Sequence, residues 1–307
     1  MGKIFQFDWE VSLILWLQKM ILDKPFLRGF FIALTQLGEP VFPVVVIGFL
    51  YWGYRKKWGI YMALCALNAQ LCNNFIKNIF CRLRPYMCND DIHCFFSPSS
   101  SDDIFNVSKQ GYSFPSGHST CISNFTVSLW LYKKIRPILY ILVPATFLVA
   151  LSRFALGVHY PTDVIAGVLL GILAAYLTDF CYSRMKKEYF YLCIVLFGLS
   201  GFLFCRSEDY YSVFGLTLGF LAGDLFEERY VNFENTKKVT RMILRTLFGG
   251  LLFLGITQLL KLPFDENFLE NMGLISYAYR CFRYAAASFT VIGLYPYLFR
   301  YNLFRFS

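Results

Sequence analysis

Apolar stretches long enough to cross a membrane alternate along this chain with short polar or basic segments. Asp8 to Leu22 is a shorter apolar run with Trp9 and Trp16, flanked by charge, which predicts a helix lying in the membrane interface. Phe26 to Tyr54 predicts a first crossing, broken or kinked where Gly38-Glu39-Pro40 and Pro43 interrupt it. Trp58 to Phe80 predicts a second, whose far half turns polar at Asn68, Gln70, Asn73, Asn74 and Lys77. Asn73, Asn74 and Lys77 share one helical face, and such a face inside a membrane must look towards protein or water. Further crossings are expected over His118–Tyr132, Ile138–Leu151, Pro161–Tyr182, Tyr189–Phe204, Tyr210–Phe226, Met242–Leu260 and Gly273–Phe299. The pattern gives about nine in all, the shorter ones marginal against the roughly 17 to 25 residues a crossing takes. One long polar loop, Cys81 to Ser113, holds Asp90, Asp91, Asp102, Asp103 and the run Ser97-Pro98-Ser99-Ser100-Ser101, which cannot form a core.

Composition agrees: 307 residues, 57% hydrophobic and 16% charged, exclude a water-soluble domain and leave an all-α, polytopic transmembrane bundle. The formal charge of +9 does not point to nucleic acid, because the basic residues fall in short clusters between apolar runs and form no continuous face. Arg55-Lys56-Lys57, Lys133-Lys134, Arg184 with Lys186-Lys187, and Arg229 with Lys237-Lys238 all fall on one side, which is therefore expected to be cytoplasmic. The acidic loop, Glu208-Asp209 and Asp265-Glu266 fall on the other. Lys3, Lys19, Lys24 and Arg28 run against this scheme, a conflict softened if the first segment lies in the interface. Lys19, Asp23 and Lys24 stand where a signal-peptide cleavage site would have to be, so no cleavable leader is expected. The ten cysteines are scattered without a Cys-x-x-Cys and most read as core residues; Cys88 and Cys94 share the polar loop and could pair if it faced an oxidising compartment.

Three patches at the outer ends of crossings two to five carry chemistry. Lys77 and Arg84 are two cations about two helical turns apart, with Pro85 ending the helix, and suit an anion. In Tyr112-Ser113-Phe114-Pro115-Ser116-Gly117-His118, Pro and Ser begin a helix whose unpaired N–H groups are a ready phosphate site, with His118 in its first turn. In Ser152-Arg153 followed by His159 and Asp163, Pro161 begins a helix between the last two, and a carboxylate accepting from the imidazole leaves its other nitrogen free to attack. The third histidine, His93, lies in the polar loop without such company and reads as a solvated loop residue.

The pattern Lys-x6-Arg-Pro, Pro-Ser-Gly-His and Ser-Arg-x5-His-x3-Asp, read over Phe26 to Tyr182, resembles the type 2 phosphatidic acid phosphatase family, which shares its site with vanadium haloperoxidases and glucose-6-phosphatase. The wording Gly111-Tyr112-Ser113-Phe114-Pro115-Ser116-Gly117-His118-Ser119 is similar to bacterial members. The resemblance implies a lipid phosphate phosphatase working in two steps without metal or other cofactor. His159 would attack phosphorus, Asp163 would orient it, and His118 would protonate the leaving alkoxide and then activate water. Lys77, Arg84 and Arg153, with Ser116 and the Gly117 amide, would hold the non-bridging oxygens. Candidate substrates are phosphatidic acid, phosphatidylglycerol phosphate, a polyprenyl pyrophosphate or a sphingoid-base phosphate, met in the bilayer at a site facing away from the cytoplasm. A phosphotransferase is the nearest rival, a haloperoxidase is disfavoured, and a non-catalytic transporter or scaffold is the rival from another class.

The expected division is an interfacial helix over 1–25, a catalytic membrane core of about five crossings over 26–188, and about four further crossings over 189–307 that the resemblance does not reach. Gly215, Gly219 and Gly223 recur on one helix and predict close helix packing, within the chain or in an oligomer. Arg280 and Arg283, inside the last apolar stretch, are expected to snorkel or to pair with a carboxylate.

Overall fold

The computed structural model describes residues 5–96, 103–134, 136–265, 268 and 273–300. Lys3, the Ser97–Ser101 run, Asp102 and Glu266 lie outside them. Among the described residues there is no strand; the helices are α1 (Asp8–Ile21), α2 (Pro25–Thr35), α3 (Val41–Gly48), α4 (Lys56–Phe80), the single turns α5 (Pro85–Cys88) and α6 (Val107–Gln110), α7 (Gly117–Lys133), α8 (Arg136–Ala155), α9 (Pro161–Arg184), α10 (Lys187–Ser200), α11 (Glu208–Phe226), α12 (Val239–Leu259) and α13 (Leu274–Phe289). By length and composition α8, α9 and α12 are apolar enough to cross a membrane, and α2 with α3 make a further candidate bent by 43°. The bend follows from a 3-10 turn at Gln36–Gly38 and from Pro40, whose ring holds Glu39 in an extended conformation. α7 is less apolar because, beside Ile122, Phe125, Leu129 and Leu131, it buries Ser119, Thr120, Ser123, Asn124, Thr126 and Ser128.

The chain groups into two compact units: Met1–Pro43 with Asn68–Arg184 and Leu203–Cys205, and Val44–Leu67 with Met185–Phe202 and Arg206–Ser307. In the first, α7 and α9 pack closely because α9 lacks side chains where they meet. A Cβ on Gly167 would stand 2.5 Å from the Ser116 carbonyl oxygen, and one on Gly171 2.1 Å from Ser123 Oγ. Thr120 Oγ1 donates to the Gly167 carbonyl at 3.0 Å and Asn124 Nδ2 to that of Gly171 at 3.2 Å, hydrogen bonds that small residues make possible between membrane helices. This contact sets the start of α7 against the start of α9.

The expectation that α1 merely lies on the surface needs correction. Trp9, Trp16 and Met20 are exposed, as an interfacial helix requires, but Glu10, Ile14, Gln18 and Ile21 are buried at helical spacing. Ile14 joins Tyr86, Ile92, Leu156, Val158 and Tyr160 in one apolar cluster. Gln18 donates to the His93 carbonyl at 2.7 Å and accepts from the His93 N–H at 3.0 Å. Gly157, at φ +79°, leaves room for that contact, since a Cβ there would meet the His93 carbonyl at 2.3 Å.

In the second unit the glycine face of α11 is occupied by α13. A Cβ on Gly215 would lie 2.2 Å from the Cys281 carbonyl oxygen and one on Gly219 2.2 Å from that of Ala285. The close helix packing predicted for Gly215, Gly219 and Gly223 is thus made inside the chain. Arg280 pairs with Glu208 at 2.5 Å, whereas Arg283 is buried beside the Tyr284 ring. Lys56 pairs with Glu227 at 3.0 Å, and Lys187 with Asp224 at 2.5 Å. All ten cysteines are free, so the suggested Cys88–Cys94 bridge is absent.

Candidate active site

The eight residues singled out in sequence all belong to the first unit. Two details of their setting differ from the sequence reading. α4 ends at Phe80, where Cys81 takes a left-handed conformation at φ +47°, so Arg84 stands on extended chain before Pro85 and not on the helix that carries Lys77. Ser116 is the N-cap of α7, its Oγ accepting from the Ser119 N–H at 3.4 Å and from Ser119 Oγ at 3.0 Å. The oxygen expected on phosphate thus first satisfies the helix start.

His159 is buried in the loop between α8 and α9. Its Nδ1 lies 3.6 Å from Asp163 Oδ2 and 3.4 Å from Ser113 Oγ, and Ser113 Oγ itself donates to Asp163 Oδ2. Tyr160 N–H also donates to that carboxylate oxygen, at 2.8 Å. On the other side of the ring, Arg84 Nη1 stands 3.3 Å from Nε2. A guanidinium can only donate, so Nε2 must be the acceptor and the ring proton must sit on Nδ1. Burial, and then the positive charges of Arg84, Arg153 and Lys77, hold the His159 pKa well below the ordinary histidine range. The imidazole is therefore neutral at physiological pH, with its Nε2 lone pair directed at a cation.

The remaining groups come from α2, α4, α7 and α8. Arg84 donates further to the carbonyls of Gln110 at 2.7 Å, Gly111 at 3.1 Å and Val158 at 3.0 Å, which fixes its plane. Arg153, fully buried, donates from Nη1 to Thr35 Oγ1 at 2.5 Å. Lys77 Nζ flanks the start of α7, 3.9 Å from where a Cβ on Gly117 would be. Asn73, one turn before it, donates to the Pro115 carbonyl at 3.4 Å and to Thr120 Oγ1 at 2.9 Å, tying α4 to the same helix start. His118 Nε2 lies 2.9 Å from Glu39 Oε1 in the α2–α3 break.

Sequence reasoning missed four participants. Arg82 reaches Asp163 Oδ1 through Nη1 at 2.5 Å and Glu10 Oε2 through Nη2 at 2.6 Å, while its guanidinium lies over the rings of Phe5 and Tyr160 at 4.3 and 3.9 Å. Glu10 Oε1 accepts from Thr162 N–H at 3.0 Å and Thr162 Oγ1 at 2.6 Å. A run of buried charge, Glu10–Arg82–Asp163, thus stands behind His159. A signal for Glu10 was present, as a lone acid at the same helical spacing as Ile14, Gln18 and Ile21. Arg82 shares with Arg84 the two-residue spacing of extended chain. Ser113 and Glu39 carry no local mark of their partners.

Residues 58–187 match the family model described as PAP2 superfamily, and residues 211–304 match one described as PAP2 superfamily phosphatase, transmembrane extension. The phosphatidylglycerophosphatase B of Bacillus subtilis (strain 168) is 32% identical over 181 residues, which cover 55% of this chain and 81% of that protein. The undecaprenyl-diphosphatase of Sulfolobus acidocaldarius is 30% identical over 153 residues, covering 50% of this chain and 69% of that one. The lipid A 1-phosphatase of Rhizobium johnstonii is 30% identical over 132 residues, covering 43% and 50%. No solved structure matches significantly.

Proposed function

Because the chain belongs to the PAP2 superfamily, we propose that it is a multi-pass membrane phosphatase that removes the phosphoryl group of a lipid phosphomonoester or diphosphate through a phosphohistidine, without a metal ion. The observation that carries this is the arrangement at His159: a neutral, buried imidazole, oriented at Nδ1 by Asp163 and Ser113, with its free Nε2 facing Arg84. A phosphoryl group carries roughly two negative charges and offers three acceptor oxygens. Drawn in by Lys77, Arg84, Arg153 and the N–H groups at the start of α7, it takes the Arg84 hydrogen bond and uncovers the Nε2 lone pair. The His159 Nε2–phosphorus bond then forms as the bond to the lipid oxygen breaks. His118 gives its proton to that oxygen. In the second step water loses a proton to His118, its oxygen bonds to phosphorus, and the electron pair of the N–P bond returns to His159.

The substrate class is taken from the relatives, whose names span a phosphatidylglycerophosphatase, an undecaprenyl-diphosphatase and lipid A phosphatases. The shared segment contains every group assigned to the phosphoryl moiety, which all these candidate lipids have in common. Phosphate release from phosphatidic acid, phosphatidylglycerol phosphate, a polyprenyl pyrophosphate and a sphingoid-base phosphate, in detergent micelles with a chelator present, is the direct test. Release from one or more of them is expected; release only after a divalent metal is restored would sink the metal-free mechanism, and release only when a lipid alcohol is added would make the enzyme a phosphotransferase.

The fold reading that accompanies this is about nine crossings in a cell membrane with the site outward, the basic loops being cytoplasmic. Asp90, exposed in the polar loop, is the place to check it. An Asp90→Cys variant in intact cells is expected to react with a membrane-impermeant thiol reagent above the level of the parent chain. Labelling only after the membrane is opened would reverse the orientation.

A further inference from the structure

We propose that Glu39 is a positioning residue for His118, holding its Nε2 proton and so leaving Nδ1 as the nitrogen that gives and takes the proton of the reaction. This rests on the phosphatase reading above. The backbone explains why a carboxylate is there at all. Gly38 closes the 3-10 turn at a point where a Cβ would stand 2.8 Å from Val149 Cγ1 and 3.0 Å from His118 Cβ. Only a glycine lets the α2–α3 break lie flat against α7 and α8. Pro40 then keeps Glu39 out of the helix, at φ −66° and ψ 140°, and its carboxylate reaches His118 Nε2 at 2.9 Å.

An acidic side chain in the break of an apolar segment is costly unless a partner holds it, and in a site built to attract an anion it would repel the substrate. Its benefit is to His118. Burial opposes an imidazolium there, and so do the two cations facing that ring, Arg153 on α8 and Arg84 before α5. Glu39 opposes them. An acid that must donate to an alkoxide has to be protonated when substrate arrives, and the carboxylate offsets part of what burial and the phosphate-binding cations take away. The site then carries two imidazole–carboxylate pairs in opposite senses: Asp163 on Nδ1 of the nucleophile, Glu39 on Nε2 of the acid.

Need for the acid depends on the leaving group, which supplies the test. An alkoxide leaving from phosphatidic acid requires the proton, whereas the nitrophenolate leaving from p-nitrophenyl phosphate requires it far less. With full-length protein in micelles, Glu39→Gln is expected to lower kcat on phosphatidic acid at least about tenfold with KM little changed. It should move the basic limb of the kcat profile about one pH unit towards acid, and lose much less on p-nitrophenyl phosphate. Glu39→Asp should recover part of the loss. An unmoved pH limb, an equal loss on both substrates, or a gain in kcat/KM, as from removal of a plug, would each overturn the assignment while leaving the phosphatase reading intact. A wild type inactive on both substrates and on the other lipid phosphates named above would overturn the phosphatase reading and this one with it.

Discussion

His159→Ala should abolish phosphate release and leave no phosphoenzyme, while His118→Ala should still accumulate one. The two histidines differ in role because their surroundings differ. His159 is neutral, its Nδ1 facing Asp163 and Ser113 and its Nε2 facing Arg84, so on the mechanism proposed above its removal deletes the atom that would receive phosphorus. No neighbouring side chain can substitute, and a loss of about 10⁴-fold or more is expected, the scale on which removal of a nucleophile is felt. In the proposed mechanism His118 acts on the oxygens. Without it, formation of the phosphohistidine is slowed by about 10²- to 10⁴-fold, but breakdown, which needs the same nitrogen as a base, is slowed as well. Acid-labile, base-stable radiolabel retained on His118→Ala after quenching with base, and absent from His159→Ala, is the expected pattern. Label on the His159 variant, or equal turnover by it, would remove His159 from the role of nucleophile.

Arg82→Leu is expected to be the most damaging substitution outside the groups that touch substrate. The side chain bridges two buried carboxylates, Glu10 and Asp163, with both distances at or below 2.6 Å. Its removal leaves two buried acids without their cation, and breaking a buried pair in this way costs about 3–5 kcal/mol. Arg82→Lys keeps the charge but not the planar fork that reaches both acids, and should fall between wild type and Leu. Adding Glu10→Gln to Arg82→Leu removes one uncompensated charge and should restore part of the stability, measured as the midpoint of thermal unfolding in micelles. Full stability in Arg82→Leu, or no recovery in the double variant, would show that the Glu10–Arg82 contact contributes little. Activity is a second readout: with Asp163 no longer anchored at Oδ1, kcat should fall even in variants that remain folded.

The consequence for the N-terminal helix is functional. Glu10 and Gln18 attach α1 to the surroundings of His159, through Thr162 and Arg82 at one point and through His93, which packs against Gly157, at the other. A helix whose exposed face, Trp9 and Trp16, suits the membrane interface therefore also supports the catalytic loop.

Much of this was legible in the chain itself. The expected segments are largely helical, three of them, or four with the bent α2–α3 pair, being long and apolar enough to cross a membrane; the break at Gly38-Glu39-Pro40 is a real bend, and Pro161 and Ser116 stand at the helix starts assigned to them. These features are local: a run of apolar residues, a proline ring or a capping hydroxyl acts within one or two turns and is written in adjacent letters. The same holds for the chemical motifs, because His159 and Asp163 are four residues apart and Ser116, Gly117 and His118 are contiguous. The error over Arg84 was local too, the end of α4 at Phe80 being set by four residues of irregular chain that periodicity does not register.

The sequence by itself determined an all-helical chain of membrane-length segments and the inventory of histidines, cations and carboxylate that a phosphoryl group requires. Which carboxylate serves which cation or imidazole was decided only by the tertiary structure. Glu10 meets Arg82 across 72 positions, Arg82 meets Asp163 across 81, and Glu39 meets His118 across 79. No local periodicity encodes such pairs. They arise when helices pack, as the glycines of α9 let α7 approach and Gly38 lets the α2–α3 break lie on His118, and burial then makes each charge depend on the few partners within reach.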